Sequence, residues 1–295
     1  MLVDIEINYP GGWVRPKNEQ CVNICKNSKS TPTCFTNSTD CLSKKQRPGD
    51  YDNVQFDQLF LPQFCRDLLA GYDTTMSHRP VAKFPTGISC LPNRVSSRLT
   101  IHGLWPNYRA GFPSCCNVSD VILNHPYDPF KFEAKYPDLF NQIALQWIDP
   151  TQATTHDALC ELFNHEFQKH GLCFSANASD YEASAYTYFS AIMQVADHLN
   201  NETTQINHWA KSKTAIFLDD IQALYSKSVH VYCSTVSNND SNQLSAIRTC
   251  WSKSTASPVQ VGPQVDCGAP SLFGPVRLCL PHQPINLDSY HPPAP

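Results

Sequence analysis

The 295-residue sequence lacks several features that define common classes of protein. None of its 14 cysteines forms a C-x-x-C pair, so the sequence gives little support to a zinc ribbon or a thioredoxin-like redox motif. No apolar run approaches the ~20 residues that a membrane-spanning helix needs, and we expect no membrane span. Charged residues make up only 16% of the chain and the formal net charge is −4. These values exclude a broad basic surface for duplex nucleic acid.

Cysteines and glycosylation sequons are abundant by contrast. The cysteine count is even, and N-x-[ST] sequons occur at Asn37, Asn117, Asn177, Asn201 and Asn239. Both features favour an oxidising compartment, so we expect a protein that is secreted or delivered to a lysosome or vacuole. The alternative is a cytosolic protein with free thiols and chance sequons. The N-terminal stretch MLVDIEINYP has acidic residues where a signal peptide has its apolar run, so we expect no signal peptide in this chain.

Composition and cysteine spacing divide the chain into three parts. Residues 1–50 hold four cysteines among polar residues and end at KKQRPGD, which predicts a small disulfide-stapled extension unable to bury a core alone. Residues 51–285 have the patterns of a mixed domain. Residues 286–295 form a Pro-rich tail, and its last stretch, SYHPPAP, is expected to fray.

The hydrophobic patterns of residues 51–285 predict strands at both ends with helices between them. Strands are predicted over 53–60 and over 98–105, the second running into a turn at Pro106. Short β-rich runs follow near the C-terminus, over 229–233, 246–251 and 276–280. Helices are predicted over 154–171, with Gly171 as the residue just past its end, over 179–199 and over 213–225. This order indicates an α+β domain with a central antiparallel β-sheet and flanking helices.

The stretch FNHEFQKHGLC (163–173) concentrates titratable side chains on the first of these helices. On an ideal helix His165 and Lys169 share a face, and Glu166 and His170 lie beside them, all within about 140° of arc. A solvated charged face is the structural alternative. The two histidines are five residues apart and diverge by about 140°, whereas a zinc-binding H-E-x-x-H helix needs four, so we expect no metal here.

A second stretch, LTIHGLWP (99–106), places His102 on a strand just before a tight turn. A lone strand histidine is more often structural, but flanking Gly, Leu, Trp and Pro can hold an imidazole and an indole rigidly. An exposed Trp105 indole would offer a stacking surface for a single-stranded base.

Two or three imidazoles, an ammonium and a carboxylate without a metal suit the cleavage of RNA through its own 2′-hydroxyl. One neutral histidine removes the 2′-OH proton, and a protonated histidine gives its proton to the departing 5′-oxygen. Lysine and a further imidazolium can stabilise the extra charge on the phosphorane-like transition state. An ordinary imidazole pKa near 6.5 suits both roles in mild acid.

The two stretches resemble the active-site segments of the ribonuclease T2 family of secreted and lysosomal acid ribonucleases. That family typically shows F-x-I-H-G-L-W-P-D and H-E-W-x-K-H-G-T-C, and this chain has LTIHGLWPN and HEFQKHGLC, with the resemblance covering about residues 51–285. It implies a metal-independent endoribonuclease with no cofactor, acting on single-stranded RNA and not on DNA.

The resemblance also implies a role for each site residue. His170 would be the general base and His102 the general acid, with the roles exchanged in hydrolysis of the cyclic phosphate. His165 would bind phosphate, and Glu166 and Lys169 would stabilise the pentacovalent state. Substrate contacts are implied for Trp105, Phe112, Asn107, which replaces a frequent aspartate, and Gln58, the last in a second base site.

The family's cysteine pattern implies a pairing scheme as well. Cys65 should pair with Cys90, Cys233 with Cys279, and Cys250 with Cys267. Cys173 should pair with Cys115 or Cys116, and Cys160 with the other of these two. The four cysteines of residues 1–50 would then pair among themselves.

Two other functions stay open from the sequence. A catalytically weak or inactive family member could act as a secreted binding, storage or defence glycoprotein, although such a protein would be expected to have lost His102 or His170. A metal-dependent phosphodiesterase would need a cluster of ligands that the sequence does not show. We expect a monomer, and the partner of residues 1–50, if any, is unknown.

Overall fold

A computed structural model describes residues 25, 31–73, 79–80, 82–118, 128–158, 162, 164–175, 180–236, 241–255, 260–272 and 274–293. The strands are β1 (Thr33–Cys34), β2 (Asn53–Phe60), β3 (Tyr72–Asp73), β4 (Arg79–Pro80), β5 (Leu99–Asn107), β6 (Gly111–Phe112), β7 (His230–Ser234), β8 (Asn242–Lys253), β9 (Val261–Val265), β10 (Val276–Leu278) and β11 (Ile285–Asn286). The helices are α1 (Thr39–Leu42), α2 (Leu61–Leu69), α3 (Pro129–Lys135), α4 (Pro137–Gln146), α5 (Thr155–Ala158), α6 (Asn164–Glu166), a π-helical turn (Phe167–Gly171), α7 (Leu172–Phe174), α8 (Tyr181–His198), α9 (Asn200–Ser212) and α10 (Leu218–Gln222), with a 3₁₀ turn at Pro92–Arg94.

The central sheet has the strand order β10-β7-β8-β2-β5, and β9 and β11 also pair with β8. Its pairs are antiparallel except that between β11 and β8. This arrangement confirms the predicted α+β class. Within the described part of the chain, every helix is too short or too polar to span a bilayer.

The main core lies between this sheet and helix α8. Phe56 of β2 and Leu104 of β5 are fully buried together with Tyr188 and Phe189 of the helix. The Tyr188 hydroxyl donates a 2.8 Å hydrogen bond to the Leu104 carbonyl, which satisfies the one polar group of a buried ring. Helix α8 therefore packs against one face of strand β5. The opposite face of the sheet is free of this helix and can form a functional site.

The structure confirms the strand over 53–60 and the long helix after residue 179. Asp180 is the N-cap residue of this helix, which begins at Tyr181. The helix expected over 213–225 is mostly wrong. Helix α9 comes earlier and ends at Ser212. Its C-cap residue, Lys213, adopts the left-handed conformation with a φ of 52°, and only Leu218–Gln222 is helical after it. Strand β5 continues through Pro106 to Asn107 instead of turning there.

The described part of the N-terminal extension lies against the core. Strand β1 pairs with β6, and Cys25 forms a disulfide with Cys115. Gly111 permits the strand pairing, because a Cβ there would collide with the Thr33 carbonyl oxygen and lie 2.7 Å from Cys41 Sγ. The expectation that the extension closes only on its own cysteines is therefore wrong, whereas the division of the chain at residues 50 and 285 stays a prediction.

Six disulfides join described cysteines. Three predicted bridges are confirmed, Cys65–Cys90, Cys233–Cys279 and Cys250–Cys267. Cys173 pairs with Cys116, one of its two predicted partners. The prediction that the other, Cys115, pairs with Cys160 is wrong because Cys115 is bonded to Cys25, and Cys160 itself lies outside the described residues. The sixth bridge, Cys34–Cys41, does lie within the extension.

The start of the C-terminal tail is attached to the domain and does not fray. Ile285 and Asn286 pair with β8, and Leu287 is buried. The Arg66 guanidinium donates to the carbonyl oxygens of Asp288 and Ser289. Fraying is predicted for residues 289–295, and it does not apply to Ser289, which is held by the hydrogen bond from Arg66 to its carbonyl oxygen and by a 3.1 Å hydrogen bond between its hydroxyl and that of Ser97.

We expect the double variant Cys25→Ser/Cys115→Ser to unfold more easily than the wild type. The bridge spans a sequence separation of 90 residues. Bridges over long loops restrict the unfolded chain most, so its loss should lower the free energy of unfolding by about 2–4 kcal/mol. Urea denaturation measures the difference. A non-reducing peptide map of the wild type is the control, and a bridge from Cys25 to another cysteine of the extension would contradict the pairing.

Candidate active site

His102 owes its position to an irregularity in the central sheet. Along the pair of strands β2 and β5, Asp57 lies opposite Gly103 and Gln58 lies opposite Ile101, so His102 has no residue opposite it. This is a β-bulge, which redirects a side chain at the point where the register shifts. The His102 side chain is fully buried, and its Nε2 lies 3.9 Å from Glu166 Oε1.

The π-helical turn determines how the other titratable side chains are grouped. On an ideal α-helix His165 and His170 diverge, but a π-helix closes its hydrogen bonds over five residues and turns the chain less at each step. The ring centroids of the two histidines lie 6.4 Å apart. The expectation that they point in different directions is therefore wrong.

Gly171, the last residue of this turn, does not end the helix. Its φ is −64°, ordinary for a helix, and the helix continues to Phe174. A Cβ on Gly171 would lie 2.6 Å from the Phe167 ring and 2.7 Å from the Tyr188 ring. Glycine is needed here for close packing and not as a cap.

Trp105 joins the strand to the helix. Its Nε1 donates a 2.7 Å hydrogen bond to Glu166 Oε2, and both side chains are buried. The indole plane is nearly perpendicular to the His102 ring, with 4.9 Å between ring centroids, and tilted against the His170 ring, with 5.5 Å between centroids. Only 8% of Trp105 is exposed, so the expectation of an open stacking surface is wrong for this ring.

Gly103 allows this contact between strand and helix. A Cβ at this position would collide with Glu166 Oε2 and lie 2.6 Å from Trp105 Nε1. The glycine of the IHGLWP stretch therefore makes room for the carboxyl group that joins the two segments. This requirement follows from packing and not from backbone conformation.

Burial controls the charge of Glu166. Loss of hydration raises the pKa of its carboxyl group above the ordinary value of 4.5, and the negative charge of Asp57 acts in the same direction. The hydrogen bond from Trp105 and the positive charge of Lys169 oppose the rise without cancelling it. In mild acid Glu166 is therefore neutral and able to donate a proton or a hydrogen bond.

A cleft of about 260 Å³ opens on the outer face of the sheet. His170 and Lys169 reach it from the helix, and Trp105, Asn107 and Phe112 reach it from β5 and β6. The remaining lining residues are Phe35, Gln55, Arg248, Ser271 and Leu272. The structure thus brings three of the four predicted substrate-binding residues together with two of the five predicted catalytic ones.

The fourth predicted substrate-binding residue, Gln58, lies elsewhere. Its side chain is buried, and its amide nitrogen donates to Thr203 Oγ1 at 3.0 Å, so it does not line this cleft. Gln55 of the same strand does line it. Asn107 also has a fixed orientation, because its amide nitrogen donates to the Trp105 carbonyl at 2.8 Å.

Sequence reasoning missed a buried ion pair beneath the cleft. Arg248 Nε and Nη2 donate to the two carboxylate oxygens of Asp57 at 2.7 and 2.8 Å, a bidentate geometry. Its third nitrogen, Nη1, donates to Ser271, and the guanidinium lies 5.4 Å from the Trp105 ring centroid. The available signal was a charged residue in each of two predicted β-segments, 53–60 and 246–251, because charged residues that become buried are rare without a partner.

The closeness of His165, Glu166 and His170 also bears on metal binding. Their ligand atoms lie within 4.8 Å of one another, so the three side chains can hold a metal ion. The spacing argument against a metal therefore no longer applies, and metal independence stays a prediction.

Comparison with known proteins identifies relatives. The Ribonuclease T2 family matches residues 51–267. Extracellular ribonuclease LE of Solanum lycopersicum is 27% identical over 55% of this chain and 57% of its own length. Ribonuclease DdI of Dictyostelium discoideum is 24% identical over 75% of this chain and 82% of its own. The match thus covers less than two thirds of the tomato protein and most of the Dictyostelium one.

Among solved structures, Japanese pear S3-RNase aligns with a TM-score of 0.48 and 19% identity, over 80% of this chain and 100% of its own. RNase NT, solved in complex with 5′-AMP, aligns with a TM-score of 0.47 and 19% identity, over 82% of this chain and 100% of its own.

We expect Glu166→Gln to change how stability depends on pH. Above pH 4.5 the unfolded wild-type chain ionises this carboxyl group, while the folded protein keeps its proton to higher pH. Wild type should therefore lose stability relative to the variant as pH rises through that range. Urea unfolding of both proteins at several values between about pH 4 and pH 8 measures the difference. Parallel pH profiles would show that Glu166 ionises normally in the folded protein.

Proposed function

The chain belongs to the Ribonuclease T2 family, and we propose that this T2-type ribonuclease cleaves single-stranded RNA through the RNA's own 2′-hydroxyl group, without a metal ion. The observation that carries the proposal is the pair His102 and His170, which approach the same indole, Trp105, from a strand and from a helix. Two histidines across one narrow site suit one general base and one general acid. The alternative of an inactive glycoprotein is not favoured, since both histidines are present.

His170 is the proposed general base, because it lines the cleft where the nucleoside would bind. It takes the proton of the 2′-hydroxyl, the 2′-oxygen attacks the adjacent phosphorus, and the bond to the 5′-oxygen breaks. Protonated His102 gives its proton to that leaving oxygen, and a 2′,3′-cyclic phosphate remains. In the second step His102 activates water and His170 returns a proton to the 2′-oxygen, which leaves a 3′-phosphate.

His102 is fully buried in the free protein. The mechanism therefore requires the surface above it to open when RNA binds. Such a change is compatible with a catalytic role, since catalytic hydrogen bonds commonly tighten only in the substrate complex.

The remaining titratable side chains are proposed to stabilise the transition state. Lys169 reaches the cleft and supplies a positive charge, and His165 lies beside His170, where it would bind a phosphate oxygen. Glu166, neutral in mild acid, would donate a hydrogen bond to the phosphorane from the oxygen that Trp105 does not occupy. A protonated Glu166 and imidazolium side chains both favour activity in acid.

The proposed location is the secretory route, ending outside the cell or in a lysosome or vacuole. Six disulfides are consistent with an oxidising compartment. Among the sequons, Asn37, Asn117 and Asn201 are exposed, as glycosylation requires. Asn177 and Asn239 lie outside the described residues. Inertness toward DNA and a monomeric state are further parts of the proposal.

We expect His102→Phe and His170→Phe to keep the fold and lose most of the activity. General acid or base catalysis by one group is worth about 10²–10⁴-fold, and each variant removes one such group. Hydrolysis of a dinucleotide measures the rate, and circular dichroism verifies folding. His208→Phe, an exposed position on α9, is the matched control and should keep wild-type activity. A catalytic variant that retained more than about a tenth of the rate would lose its assigned role.

A substrate with one altered linkage tests the chemistry directly. RNA with a single 2′-deoxyribose should be cut everywhere except at that linkage, because the attacking group is missing there. Products should end in a 2′,3′-cyclic phosphate and later in a 3′-phosphate, and EDTA should not slow the reaction. Cleavage at the deoxy linkage or 5′-phosphate products would refute the 2′-hydroxyl mechanism, and inhibition by EDTA would refute metal independence.

A further inference from the structure

The exposed aromatic surface of the cleft comes from outside the two active-site segments. Trp105 is almost covered, whereas Phe35 is 53% exposed and Phe112 is partly exposed. The two phenylalanine rings have their centroids 6.0 Å apart at an angle of 52°. A base entering this cleft therefore meets these two rings before it meets the indole.

Phe35 belongs to the N-terminal extension, which the family match at residues 51–267 does not include. Backbone contacts hold it at the cleft. Its amide nitrogen donates to the Ala110 carbonyl at 2.9 Å, and the neighbouring residues of β1 pair with β6, with Thr33 opposite Phe112. The disulfide from Cys34 to Cys41 closes the segment next to the ring.

The opposite side of the cleft is also suited to a flat apolar ligand. Leu272 is 61% exposed there, and its neighbour Ser271 is held by hydrogen bonds from Arg248. Large apolar side chains exposed on both sides of one cleft are a recognised mark of a binding groove. Asn107 at the base of the cleft can add a polar contact.

We propose that Phe35 is a base-binding residue, which forms with Phe112 a stacking surface for the base of the nucleoside whose 2′-hydroxyl attacks. The inference rests on the proposed function. We assign this surface to the nucleoside on the 5′ side of the cleaved bond. The reason is that His170, the proposed general base for the 2′-hydroxyl of that nucleoside, lies 6.4 Å from Phe112 between ring centroids. Every base has an aromatic face, so a stacking site of this kind tolerates several bases.

Three variants test the proposal. Phe35→Ala removes the ring, Phe35→Leu keeps apolar bulk without an aromatic face, and Phe35→Tyr keeps the face. Leu42→Ala is the matched control, because Leu42 is 57% exposed in the same segment and does not line the cleft. Thermal unfolding and a non-reducing mass measurement verify that each variant is folded and fully bridged.

The substrates are a dinucleotide with both bases and two matched dinucleotides with an abasic ribose on the 5′ or the 3′ side. Phe35→Ala and Phe35→Leu should raise KM at least about fivefold for the normal and the 3′-abasic substrates, with little change in kcat. KM for the 5′-abasic substrate should not change. Phe35→Tyr and Leu42→Ala should behave as wild type on all three.

If Phe35→Ala raised KM equally for all three substrates, or if Leu42→Ala raised KM as much as Phe35→Ala does, Phe35 would only support the fold. Either result would overturn the proposal. No effect of Phe35→Ala would overturn it as well. Calorimetric titration with a nucleoside 3′-monophosphate separates this result from failure of the proposed function. If wild type cleaved no RNA, weaker nucleotide binding by Phe35→Ala would still support the stacking site, and unchanged binding would reject it.

Discussion

The hydrogen bond from Trp105 Nε1 to Glu166 Oε2 joins the central sheet to the helical segment that carries four of the five candidate catalytic side chains. Both partners are buried, so loss of either would leave the other without its partner in a water-free interior, which is costly. The contact requires a glycine at position 103, since a side chain there would occupy the place of the carboxyl oxygen. It also places His102 and His170 against the same ring.

The buried pair Asp57–Arg248 supports this arrangement from below. A buried guanidinium is tolerated because its donors are satisfied by the Asp57 carboxylate and by Ser271. Its charge lies beneath the Trp105 ring and at the floor of the cleft. The negative charge of Asp57 also contributes to the raised pKa of Glu166, so the ion pair and the Glu166 carboxyl group are electrostatically connected.

Two adjacent cysteines connect the extension to this site. Cys116 is bonded to Cys173 near the end of the helix that carries His165 and His170, and Cys115 is bonded to Cys25 of the extension. The Cys115 amide also donates to the Lys169 carbonyl. One short loop thus fastens both the helix and the N-terminal segment, and this explains how a residue of the extension comes to line the cleft.

The sequence by itself determined the class of fold, the strand 53–60, the helix after residue 179 and the family, because these depend on local hydrophobic periodicity and on two uninterrupted motifs. It also identified the histidines, Glu166 and Lys169 as candidates, because the two motifs concentrate these titratable side chains within short stretches. Only the tertiary structure decided how these groups face one another. The π-helical turn brings His165 and His170 together, a departure from α-helical geometry that the ideal-helix argument does not anticipate. Packing against the helix covers Trp105, and Cys115 bonds to the extension, because both depend on contacts between segments far apart in the chain that no local pattern encodes.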